Sequence, residues 1–251
     1  MLIMNRLPLA KRAQMLGLLV EGASLRSVSR LADCSINTVT KLLVDVGSAC
    51  AEYQFKTLRE LPCKRVEVDE IWSFCYSKHK NVKTNKKKVA WAGDVWTWTA
   101  ICADTKIVPC WYVGNRKAKA AKIFILDLAS RLKNRVQLTS DGHPPYIEAV
   151  EEAFGGEVDF AMLIKIFSGT EYTPDKKRGR PSQCSSVEKR KIEGDPKSKY
   201  ISTSFVERQN LTMRMHMRRF TRFTNAFSKK IENHAHAVAL HFMFYNFGRI
   251  H

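Results

Sequence analysis

Asp69 in the run VEVDEIWSFCY, Asp141 in LTSDG and Glu207 in SFVERQN are the acids of this chain whose settings could do chemistry. Two hard divalent cations about 4 Å apart need shared carboxylate oxygens, and such a pair clamps the attacking and leaving oxygens of an in-line phosphoryl transfer. Each acid also has a plainer use. Asp69 or its neighbour Glu70 can be a surface strand residue, Asp141 can make an Asp-Gly turn, and Glu207 stands three residues after Ser204, as in a capping box. Successive strand side chains leave opposite faces, so only one of Asp69 and Glu70 is expected to face a site. Glu207, Asn210, Arg214 and Arg218 follow at i, i+3, i+7 and i+11, which predicts one carboxylate, one amide and two guanidinium groups on a shared helical face suited to metal plus phosphate. His234, His236 and His241 lack the H-E-x-x-H spacing and read as core or helix-surface histidines.

These acids need a scaffold that gathers distant segments. KRVEVDEIWSFCY, from Lys64 to Tyr76, predicts a strand entering a buried sheet; VWTWTAICAD and IVPCWYVG predict a second and a third, turning at Thr105 and Lys106. AKAAKIFILDLASRL, from Ala118 to Leu132, predicts an amphipathic helix burying Ile123, Leu126, Leu128 and Leu132. VQLTSDG predicts a fourth strand, leaving Asp141 at its C-terminal end, where open α/β sheets expose functional side chains. YIEAVEEAF then predicts a helix stopped by Gly155 and Gly156, and VDFAMLIKIF a fifth strand or a short helix. Two further helices are expected from Ile201 to Phe247. Three antiparallel strands, helix, strand, helix and strand form the order of a ribonuclease-H-like domain, an α/β fold with a mixed sheet and flanking helices.

Ahead of that segment lies a small all-α unit. KRAQMLGLLVEG predicts one helix; Ser24 then caps LRSVSRLAD, and Ser35 caps INTVTKLLVDVG after a tight turn at Ala32 to Cys34. Two short helices so joined make a helix-turn-helix whose second helix would present Asn37, Thr38, Thr40 and Lys41 to a major groove. The expected division is 1–49 for this domain, 50–62 for a helical linker ended by Pro62, and 63–251 for the α/β domain, with a basic insertion at about 168–200.

Charge supports a polyanionic partner. The chain of 251 residues carries 42 Lys+Arg against 24 Asp+Glu, a net of +18, and 16 basic against 5 acidic side chains fall between Pro174 and Lys230. Within that stretch Arg178 and Arg180, in KKRGRPS, resemble an AT-hook, whose arginines enter a narrow A·T-rich minor groove. Seven cysteines without a C-x-x-C pair predict reduced thiols and no zinc. The longest early apolar run, Met15 to Val20, is too short for a signal or a membrane span, so the expectation is a cytoplasmic protein with no membrane partner.

Three motifs carry a family likeness. VEVDEIWSFCY, LTSDGHPPY and STSFVERQNLTMRMHMRRFTRFTNAFSKKIENH strongly resemble the DDE transposases of bacterial insertion sequences of the insertion-sequence-one type, over nearly the whole chain. The resemblance implies a ribonuclease-H-like fold with Asp69, Asp141 and Glu207 as catalytic metal ligands. It also implies Mg2+ or Mn2+, as two ions, with Asn210, Arg214 and Arg218 supporting the site. The implied activity is cutting and joining of double-stranded DNA at element ends and target, by a homo-oligomer assembled on the DNA. A repressor derived from a transposase, or a nuclease of the same fold that cleaves without joining, are the alternatives. Relatives often carry a zinc ribbon before the helix-turn-helix, whose absence leaves end recognition to a smaller module, and they tend to continue past the position of His251, which implies a truncated copy.

Overall fold

A strand covered on both faces reads as a near-continuous apolar run. β1 (Arg65–Cys75) is such a strand, with Val66, Val68, Ile71, Phe74 and Cys75 all buried. The computed structural model describes residues 7–84, 89–167, 184–221 and 224–250. Before β1 come α1 (Leu9–Val20), α2 (Leu25–Leu31) and α3 (Ile36–Thr57). After it come the one-turn α4 (His79–Val82), β2 (Gly93–Cys102), β3 (Trp111–Gly114), α5 (Ala118–Ala129) and β4 (Val136–Asp141). The chain continues through α6 (Pro145–Phe154), β5 (Val158–Phe167), β6 (Cys184–Glu193), α7 (Ser204–His216) and α8 (Ile231–Gly248). The six strands form one mixed sheet in the order β3-β2-β1-β4-β5-β6. β1, β4 and β5 are parallel neighbours, whereas β2, β3 and β6 run antiparallel to the strands they join.

Helices cover the sheet from both sides. Val66, Val68, Trp98, Leu138 and Phe160 pack with Phe124, Ile125, Leu128 and Tyr146 of α5 and α6. On the opposite face Ile71 and Ile101 meet Val206 and Met213 of α7, Val238 and Phe242 of α8, and Leu43 of α3. The buried stripe of α5 is Ala121, Phe124, Ile125 and Leu128, whereas Ile123 and Leu126 are exposed, contrary to the expected phase. Ala120, Ala121, Phe124, Ile125 and Leu128 recur at helical spacing and together face the sheet, which leaves Ile123 and Leu126 on the outer side. VDFAMLIKIF is a strand, and the basic stretch after it contains β6, which the sequence pattern does not announce. Nearly every β6 residue is exposed on both faces, so no apolar alternation marks it; its register comes from pairing with β5. Arg178 and Arg180 lie outside the described residues. Among those residues no helix is long and apolar enough to cross a membrane.

Ser24 and Ser35 accept backbone N–H bonds at the starts of α2 and α3, so both caps form as the residue types predict. α3 continues unbroken across residues 49–50 to Thr57, taking in most of the stretch expected as a separate connector. Its C-terminal half packs on α8. Gln54, fully buried, donates to the Ala239 carbonyl at 3.1 Å, and Asn246 of α8 reaches both Gln54 Oε1 and the backbone of Val108. Arg131, after α5, donates to the Gln54 and Leu58 carbonyls and so satisfies the end of α3.

Gly47 is what lets the two helices approach. A Cβ there would stand 2.5 Å from the His236 carbonyl oxygen, whereas one at Gly17 would meet nothing within 4 Å. Both glycines are helical, so Gly17→Ala should stabilise the fold by about 0.5–1 kcal/mol. Gly47→Ala should destabilise it by roughly 1–3 kcal/mol, because backbone atoms must move apart. Urea unfolding of both variants checks the contrast; equal midpoints would disprove the close contact.

Candidate functional site

Strand register builds the site. The parallel pairing of β1 with β4 ends at Val68 opposite Ser140, so continuing the count by one residue sets Asp69 beside Asp141. β1 runs on past the end of β4, still paired with β2, and this exposed strand end is where carboxylates can converge. Ligand atoms of Asp69, Glu70 and Asp141 lie within 4.8 Å of one another, a group that could hold a metal ion. Glu70 therefore does not turn away from the site as strand alternation predicts. Its backbone leaves the other face, toward Trp98 and Tyr146, but β4 stops at Asp141 and leaves an open edge that side chains from both faces can reach.

Each carboxylate is held by specific donors. Asp69 accepts from the Glu70 backbone N–H through Oδ1 and from Asn210 Nδ2 through Oδ2, both at 2.8 Å. Asp141 Oδ1 accepts from the His143 backbone N–H at 3.0 Å, so the Asp-Gly turn exists, while Oδ2 is 3.6 Å from Arg116. The Glu70 side chain is 0% exposed, and its Oε2 accepts from Arg116 Nε at 2.9 Å. Arg116 thus bridges two of the three acids from the segment after β3. Among the described residues the buried Asn210 Oδ1 has no hydrogen-bond partner, while the buried Tyr146 hydroxyl faces the Glu70 carboxylate as a donor. Carboxylate and amide oxygens are the hard ligands that Mg2+ and Mn2+ take, so this donor set fits such a cation.

Burial, with the charge of Asp141 second, pushes Asp69 up to about 6 and Glu70 up to about 7, although the Glu70 backbone N–H and Asn210 pull Asp69, and Tyr146 and Arg116 pull Glu70, the other way. His143 is lowered by burial and by Arg116.

Glu207 sits on α7 but outside this group. Its Oε1 accepts from Thr203 Oγ1 at 2.6 Å and forms an ion pair with Lys165 of β5, leaving the side chain 43% exposed. Its charge nonetheless contributes to raising Asp69. The expected capping box does not form, because the N-cap is Thr203 and Ser204 is already helical; the Ser204 hydroxyl is taken by Ser202. Nor do four residues share one face. α7 ends at His216, so Arg218 lies beyond it in a 3-10 turn, while Asn210 is buried on Asp69 and Arg214 is exposed in the last helical turn. Asn37 and Lys41 are exposed near the start of α3, Thr38 and Thr40 are half-buried, Thr40 donates to the Ile36 carbonyl, and Lys41 pairs with Asp45 at 2.8 Å.

Sequence reasoning missed Glu67, Arg116 and Lys165. Glu67 is buried, and its Oε2 accepts the backbone N–H groups of Phe205 and Val206 at the start of α7. An acid two residues before Asp69 in a buried strand was the available signal for it. Arg116 and Lys165 had none, being single basic residues among many. His234 is a core histidine, bonded to Ser73 and Ser228, and His241 is also buried. The seven cysteines are free and five of them are buried. The chain matches no protein-family model and no curated protein.

The raised carboxylates have a stability consequence. Between the ordinary carboxylate values near 4 and the raised values of about 6 and about 7, the folded chain binds more protons than the unfolded one. Stability therefore falls as pH rises through that window. A divalent cation on the group offsets the loss, so millimolar Mn2+ should raise the melting temperature by several degrees at pH 8 and far less at pH 5. Asp69→Asn should melt higher than wild type at pH 8 without metal and lose the response to Mn2+. Calorimetry reads both, and a metal response that is the same at the two pH values would count against the site.

Proposed function

We propose that the chain is a DNA transposase of the DDE type, a metal-dependent polynucleotidyl transferase on a ribonuclease-H-like fold. The observation that carries the reading is the convergence of Asp69 and Asp141 from adjacent parallel strands with Asn210 of α7 bonded to Asp69. Glu207, one helical turn before Asn210, is proposed as the third acid, with Glu70 and Arg116 beside the first two. The mixed six-stranded sheet flanked by helices is compatible with that fold, and the net charge of +18 suits a DNA partner.

Asp69, Glu70 and Asp141 would hold the cation, which would supply Lewis acidity and an ionisable bound water. Asn210 keeps the Asp69 carboxylate oriented, and Arg116 offers donors to the oxygens of an incoming phosphate. Water adds to phosphorus, the bond to the 3′ oxygen breaks, and that oxygen takes a proton to leave a 3′-hydroxyl and a 5′-phosphate. The new 3′-hydroxyl then attacks a target phosphodiester and expels a target 3′-hydroxyl, so bonds formed and broken balance without an energy source.

Residues 25–57 would serve as the reader: α2, the turn at Ala32 to Cys34, and α3 as a helix-turn-helix with Asn37, Thr38, Thr40 and Lys41 toward the groove. Arg178, Arg180, Arg214 and Arg218 are proposed as further DNA contacts. Lys41 must exchange its exposed ion pair with Asp45 for a phosphate, at little cost. Lys41→Ala should lower the slope of log affinity against log salt by about 0.9, measured by fluorescence anisotropy. An unchanged slope would remove Lys41 from the interface.

The decisive assay incubates the full chain with Mn2+ and end-labelled duplexes drawn from the DNA flanking its gene, together with a supercoiled target. Joined products support the transposase; cleavage alone would mark a nuclease and binding alone a repressor. Asp69→Asn, Asp141→Asn and Glu207→Gln should each cut at least about 100-fold more slowly while binding DNA as wild type does. Glu70→Gln should be comparably impaired, because its carboxylate belongs to the same group. A Glu207→Gln protein that joins ends at wild-type rate would end the three-acid assignment.

A further inference from the structure

Beyond the acids, β1 and β2 continue as a ribbon that β4 does not accompany: β1 pairs with β4 only as far as Val68, but with β2 as far as Cys75. The side chains following Glu70 on its own face are aromatic. Trp72 and Trp96 are direct cross-strand partners, both half-buried, and among the described residues neither belongs to a hydrophobic core. Core packing therefore does not account for two of the chain's five tryptophans. Phe74 stacks against Trp72 at 5.8 Å and against Phe227 at 5.0 Å, bracing the ribbon from its far end.

A cation lies over each ring. The Arg116 guanidinium lies 4.8 Å over the Trp96 ring while holding Glu70 and facing Asp141, and Lys78 Nζ is 5.7 Å from the Trp72 ring. Two cross-strand tryptophans, each with a cation over one ring and both adjoining a carboxylate group, match a π-faced ligand that carries phosphate. Among biological polymers only a nucleic acid strand combines the two, and a stacked duplex keeps its base faces covered. We propose that Trp72 and Trp96 form a stacking platform for an unpaired nucleobase adjoining the phosphate processed at the acids. The proposal rests on the nucleic-acid reading above and assigns to the site a substrate feature, a locally unpaired strand. The platform contributes base-tolerant affinity, because every base has a π face. It also favours ends that fray over intact duplex, since a base already unpaired pays no unstacking cost.

The test measures binding of the full chain, in chelator so that nothing is cut, to two labelled duplexes. One carries a three-nucleotide single-stranded extension and the other the same extension with its bases removed. Wild type should prefer the extension with bases by about tenfold or more, the scale of one stacked base. Trp72→Ala and Trp96→Ala should each reduce that ratio toward one without altering the salt slope, because stacking releases no counterions. Trp72→Phe and Trp96→Phe should keep part of the ratio, which guards against a folding defect in the alanine variants. Equal wild-type affinity for the two extensions, or a ratio that survives both alanine changes, overturns the platform. Failure to bind even blunt duplex at low salt would overturn the nucleic-acid reading with it, whereas binding of blunt duplex with a ratio of one would overturn the platform alone. If light scattering showed Trp72→Ala dissociating a DNA-free dimer, the surface would be an interface between copies, and the proposal would again fall.

Discussion

Two adjacent carboxylates in the interior of a sheet are the costly feature around which this molecule is arranged. Glu70 is fully shielded and Asp69 is partly so, and burial is the largest cause of the raised values of both. A desolvated carboxylate survives only if donors replace the lost water. Here the donors arrive from different layers: Arg116 from the connection between β3 and α5, Asn210 from α7, and a backbone N–H from β1 itself. Packing of the two sheet faces and ordering of the acids are consequently one problem. Arg116 is 38% exposed, so water screens its charge and it neutralises the group incompletely. Incomplete neutralisation is the condition under which an external cation has something to gain by binding.

β1 also sets the position of α7. Its outward-alternating residues Glu67, Asp69 and Ile71 face that helix. Glu67 takes the amides of Phe205 and Val206, where the helix dipole favours negative charge, and Asp69 takes Asn210 just over one turn further on. Ile71 packs in the same core as Val206 and Met213. Three alternate residues of one strand thereby fix the height, rotation and tilt of the helix that carries Glu207. Lys165 and Thr203 then decide where the Glu207 carboxylate rests. An acid placed this way is tied to β5 by a partly exposed ion pair, whose release costs little, while its helix cannot shift.

Features governed by local chemistry were readable in the sequence. Ser24 and Ser35 cap because their hydroxyls reach nearby amides, and Gly155 ends α6 in the left-handed region that favours glycine. Asp69 and Asp141 could be singled out because charge in an apolar strand and Asp before Gly at a strand end are both conspicuous. What escaped depended on partners distant in the chain. β6 owes its existence to β5 and carries no apolar signature; the phase of α5 was set by the stripe of Ala121, Phe124, Ile125 and Leu128, although Ile123 and Leu126 suggested another face. Alternation put Glu70 on the correct face, yet its carboxylate still reaches Asp69 and Asp141, because the rule describes a continuous sheet and this sheet loses β4 at that level. Ser204 matched a capping spacing, but the chain enters the helix one residue earlier, through Thr203, where Glu67 meets the first amides.

The N-terminal helices are joined to this arrangement more firmly than a linker would allow. α3 has 22 residues, about 33 Å of continuous helix, with Asn37 and Lys41 at one end and Gln54 locked under α8 near the other. Gly47 brings the two helices into backbone contact midway, and Arg131 closes the C-terminal carbonyls. A rod anchored at two levels cannot pivot about residues 49–50. Under the proposed function, any base contacts made at the first turn of α3 would therefore fix the distance from the recognised sequence to the cut. A flexible connector would have left that spacing to the DNA. The rigid helix assigns it to the protein, and the geometry of Gly47 against His236 becomes part of how a cleavage position would be measured.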